Sequence, residues 1–113
     1  QNYTTGGLVD ARVVDIFEKM ARFFVAMERR LETHPEWRDG VAHGKHNAES
    51  LSETLTALLA FYDMAHKILL RRRAAHADDD ATANAAEGRD AAACLANEAE
   101  FTAYWLLFFL DQD

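Results

Sequence analysis

Apolar side chains that advance along a chain by threes and fours gather on one side of a helix, and two long segments of this chain follow that rule. The first is Val9, Val13, Phe17, Met20, Phe24, Met27 and Leu31, widened by Ile16 and Phe23; Asp15, Glu18, Lys19, Arg22, Glu28 and Arg29 fall mostly outside the stripe. It predicts a helix over about residues 9–32, after a polar, Gly-containing lead-in (residues 1–8) that reads as frayed. Pro35 ends the helix, because proline lacks a backbone donor and disfavours helical geometry in the residue before it. The second stripe, Leu51, Leu55, Leu58, Tyr62, Ala65 and Leu69, is broadened by Leu59, Phe61 and Ile68 and predicts a helix over about 48–72. Residues 33–47 hold Pro35, Gly40, Gly44 and three histidines and read as a loop, with Trp37 and Val41 tucked against the helices and Asn47 capping the next one.

A third segment behaves differently. From Phe101 to Leu110 apolar side chains occupy nearly every side, which predicts a helix over 97–110 surrounded by protein. Asn97 suits the N-cap and Glu100 the third helical position, a capping-box pattern, with Glu98 and Glu100 at the positive end of the helix dipole. Only two other helices are expected to cover it, so part of its packing partner is expected outside this sequence, as more chain or as another subunit. Phe101, Tyr104 and Phe108 are expected inward, while Trp105 and Phe109 form a candidate partner surface that would drive self-association of an isolated piece. Residues 74–93 contain no large apolar side chain and include Asp78, Asp79, Asp80 and Gly88. They read as a mobile insertion, with a loose turn around 90–96.

The expected fold class is therefore all-α, with three main helices in antiparallel hairpins, and 113 residues allow a single domain. The sequence has no starting Met, which suggests an excised piece, and neither a signal peptide nor an apolar run of membrane-spanning length. Its one cysteine, Cys94, permits no internal disulfide, which fits a reducing compartment. The net charge of −7 is uneven: residues 1–73 carry 11 basic and 10 acidic side chains (+1), and residues 74–113 carry 1 and 9 (−8). Such a balance is a poor match for a phosphate backbone. Arg71, Arg72 and Arg73, with Arg29, Arg30, Arg38 and Lys45, are weak RNA-contact candidates; a helix-end charge cluster neutralised by Asp78 to Asp80 is the favoured reading. His43 and His46, with His34 nearby, could be imagined as metal ligands, but no cysteine and only scattered acids such as Asp39 accompany them. Solvated loop histidines are favoured. Cys94 has no activating base in view, and no catalytic constellation or cofactor motif stands out, so neither an enzyme, a metal site nor a cofactor is expected.

Three segments together carry a resemblance: Phe17-Glu18-Lys19-Met20-Ala21-Arg22-Phe23; Glu49 to Leu59 with Tyr62-Asp63; and Asn97-Glu98-Ala99-Glu100-Phe101-Thr102-Ala103-Tyr104. They resemble, in order, the "E-x-x-A-R-F", "L-x-x-T-L-x-x-L-x-x-x-Y" and "N-E-A-E-F-R-A-Y" elements of the Sac-three/GANP family, also called the leucine-permease transcriptional regulator family. The residues that carry it are Arg22, Phe23, Leu55, Tyr62, Asn97, Glu98, Glu100, Phe101 and Tyr104. Thr102 departs from the usual arginine, and the 74–93 connection looks long. The resemblance implies a TPR-like, PCI-type superhelical portion without the winged helix that normally follows. It also implies a non-catalytic scaffold of the nuclear-pore-associated transcription-and-export complex, partnered by a second PCI-type protein and a small acidic protein, with RNA met through regions outside this piece. A nuclear location near the pore follows, or one shared between nucleus and cytoplasm. A PCI-type subunit of the proteasome lid and a helical nucleic-acid-binding module are the alternatives. Because Arg22 and Glu100 both belong to the pattern and neither suits an apolar seam, they are expected to pair. Replacing Arg22 with Met would then cost several kcal/mol.

Overall fold

The computed structural model of the protein describes residues 4–5, 8–34, 41–74 and 82–110. A two-stranded antiparallel ribbon, β1 (Thr4–Thr5) and β2 (Leu8–Val9), pairs Thr4 with Val9 and Thr5 with Leu8. Among the described residues four helices follow: α1 (Ala11–Thr33), α2 (Val41–Ala74), α3 (Thr82–Cys94) and α4 (Glu98–Leu110). The described residues are all-α apart from the ribbon, with one helix more than the stripes announce. The lead-in is paired rather than frayed at these positions, and Val9 is a buried strand residue and not the first residue of a helix.

Asp10 starts α1. Its backbone is extended and its carboxylate accepts the Arg12 backbone N–H at 2.8 Å, satisfying one of the donors that a helix start leaves open. The Arg12 side chain also binds this carboxylate, and these hydrogen bonds hold the Asp10 carboxyl below its usual range. At the other end His34 donates its backbone N–H to the Arg30 carbonyl at 2.9 Å, one residue before Pro35.

Helix α2 begins at Val41, so the stretch 41–47 belongs to a helix and not to a loop. Asn47 does not cap it. The side chain lies inside the helix and is buried, donating to the Phe24 carbonyl at 3.1 Å and to Glu28 Oε2 at 2.7 Å. Trp37 lies outside the described residues, as does the side chain of Val41. The edge-to-face contact of Phe17 with Phe61, 5.4 Å between centroids, and the Phe24–Asn47 bond show later residues of α1 meeting earlier residues of α2. The two helices form an antiparallel hairpin.

Helix α3 corrects the expected mobile insertion from Thr82 onward. It packs through small side chains: Ala91 and Cys94 are buried in the same cluster as Leu51, Leu55, Leu58, Tyr62, Ala65, Ile68 and Phe101. Gly88 comes so close to Arg72 that a Cβ there would stand 2.5 Å from Arg72 Nε, an overlap relieved only by moving that flexible side chain. Periodicity of large residues cannot report a helix that packs through Ala, Gly and Cys. Asp78, Asp79 and Asp80 lie outside the described residues. Between α3 and α4, bonds spanning three residues (Leu95 N–H to Ala92, Ala96 N–H to Ala93, Glu98 N–H to Leu95) tighten the chain into a joint. The three expected helices are thus present as α1, α2 and α4, and α3 is an additional one.

The packing side of α1 is also corrected. Its buried residues are Val14, Glu18, Ala21 and Leu31, while Ile16, Met20 and Phe23 remain exposed. The apolar arc of α1 is wider than its neighbours cover, and the seam is centred on the side that carries Glu18.

Packing of α3 has a direct test. Ala91 is 1% exposed, so Ala91→Asn places an amide in an apolar seam and should destabilise the fold by about 1–3 kcal/mol in denaturant unfolding. A freely moving insertion would show a change of no more than about 0.5 kcal/mol.

Candidate functional site

The residues of the three resembling segments converge where α1, α2 and the start of α4 meet. Glu18, set on the seam side of α1 and 3% exposed, is at the centre. Its Oε2 accepts the Tyr62 hydroxyl at 2.6 Å and its Oε1 accepts the Asn97 side-chain amide at 3.0 Å. One carboxylate therefore ties three helices through two donors from different elements. Burial, and next the hydrogen bond to Glu18, push the Tyr62 hydroxyl far above its ordinary pKa, so it remains a donor.

Asn97 stands at the head of α4, and its carbonyl accepts the Phe101 N–H at 3.4 Å. Its side-chain amide reaches across to Glu18. The capping-box expectation for Glu100 is likewise replaced by a longer reach: its two oxygens accept Arg22 Nε and Nη2, each at 2.9 Å, in a forked pair. This is the pair expected from the sequence. The Tyr104 hydroxyl, one turn along α4, donates to the same carboxylate at 2.6 Å, and its pKa rises because that bond favours the protonated phenol. The Arg22 guanidinium lies over the Phe101 ring, 5.0 Å from its centroid, and Phe101 itself is fully buried. The other acid of the α4 start, Glu98, has both oxygens 3.0 Å from His66 Nε2 on α2.

Leu55 is fully buried in the core and Phe23 is exposed, its ring 5.6 Å from that of Phe24. Sequence reasoning did not single out Glu18, placed outside the apolar stripe, nor His66. The signal available for Glu18 was its place at the head of the E-x-x-A-R-F element, four residues before Arg22 and so on the same side of α1.

Beyond this latch α4 divides its large side chains between the core and solvent. Tyr104 and Phe108 pack partly against the core, as expected, and so does Trp105, whose assignment to the outer surface is corrected. Phe109 is exposed, its ring 4.6 Å from that of Trp105. Leu106, Leu107 and Leu110 join it in solvent. Of its own residues α4 buries Phe101 alone.

The other candidates separate from this site. Arg71 and Arg73 are exposed at the end of α2, but Arg72 is half-buried against Gly88 and so does not add to an outward phosphate-facing row. His34 Nδ1 sits 3.1 Å from the Arg30 carbonyl at the end of α1, and His46 is exposed on α2. His43 is a helix residue whose side chain lies outside the described ones, as does Asp39. Among the described residues no three metal-capable side chains converge, and no described helix is long and apolar enough to cross a membrane. Cys94 is buried and burial pushes its thiol up to about 11, so it stays protonated.

Two variants probe the latch. Tyr62→Phe removes a donor from a buried carboxylate and should cost about 1–3 kcal/mol, measured by urea unfolding; a loss under about 0.5 kcal/mol would show that Glu18 does not depend on it. Arg22→Met should cost less than the sequence suggests. Arg22 and Glu100 keep 43% and 33% of their side-chain surface open, so screening by solvent limits their pair to about 1 kcal/mol. The hydrogen bonds of Arg22, then of Tyr104, lower the Glu100 carboxyl from 4.5 to about 2. The folded chain therefore binds this proton less readily than the unfolded chain, and the pair stabilises fully above pH 4.5 and is lost as pH falls through about 2. The gap in stability between wild type and Arg22→Met should close across that window, and a gap constant from pH 6 down to 2 would contradict the assignment.

Comparison with known proteins gives one positive result: the family model described as the SAC3/GANP family matches residues 1–113. No curated protein and no solved structure matches the chain.

Proposed function

The chain belongs to the SAC3/GANP family, and from that premise we propose that it is a non-catalytic scaffold layer acting in nuclear mRNA export and RNA processing. The observation that carries this reading is the outer side of α4. Over Phe101–Leu110 the chain holds no charged side chain, and four large apolar residues of that stretch remain in solvent. A monomeric protein seldom keeps such a surface uncovered, and scaffolds use it to hold partners. The latch supports the same reading, since Glu18, Arg22, Tyr62, Asn97 and Glu100 satisfy one another and set the angle at which α4 presents that side.

By resemblance the partners are a second PCI-type protein and a small acidic protein of the export complex, at or near the nuclear pore. RNA would be met through regions outside these residues. Affinity purification of the tagged full-length protein, followed by mass spectrometry, should recover those export subunits, and imaging should place the protein in the nucleus. Recovery of proteasome-lid subunits in their place would favour a PCI-type role in that complex. Enrichment of RNA without either set would favour a nucleic-acid-binding module.

A further inference from the structure

We draw no further inference here: the strongest candidate, the apolar surface patch of Leu106, Leu107, Phe109 and Leu110 at the end of α4, is an uncovered helix face for which nothing in the structure shows what covers it.

Discussion

A carboxylate removed from water is costly until donors surround it, and Glu18 is placed so that the donors must come from two other helices. Tyr62 supplies one from α2 and Asn97 supplies the other from the head of α4. Neither α2 nor α4 can slide along α1 by a turn without uncovering that group. An apolar seam of leucines tolerates several registers at similar energy; this one admits a single register. The forked Arg22–Glu100 pair and the Glu98–His66 contact repeat the constraint on either side, closer to solvent and correspondingly weaker. Family membership and geometry meet here, because the residues by which the sequence resembles its family are the ones that fix how α4 leaves the hairpin.

The sequence was most legible where large apolar residues repeat. The stripes of α1 and α2 yielded both helices and their pairing, and the shared pattern of Arg22 and Glu100 yielded their contact. It was least legible where packing depends on small residues or on polar groups that leave their own helix. Helix α3 buries Ala91 and Cys94 and brings Gly88 against Arg72, and these side chains hardly register in a count of hydrophobic periods. Asn47 and Asn97 both look like caps by local rules; each instead reaches to α1, to Phe24 and Glu28 in one case and to Glu18 in the other. A donor seen from the sequence has a type and a position but no partner.

The exposed side of α1 belongs to the same physics. Ile16, Met20 and Phe23 continue the apolar arc beyond what the hairpin covers, while Glu18 and Glu28 take places in the seam because Tyr62, Asn97 and Asn47 satisfy them. Helices α1 and α4 therefore both carry more apolar surface than this set of helices can enclose. That property suits one layer of a larger stack better than a closed bundle.

Helix α2 is long enough to meet every other described helix, and this shapes how the protein opens. The buried Glu18 latch meets α2 at Tyr62, near the middle of its described helical partners, whereas its ends lean on α1 on one side and α3 on the other. Fraying at either end breaks contacts with one neighbouring helix only. Releasing the middle separates all three rods together, so amide protons around Tyr62 should be freed by the same global event that unfolds the protein, and the chain responds to stress as one cooperative unit.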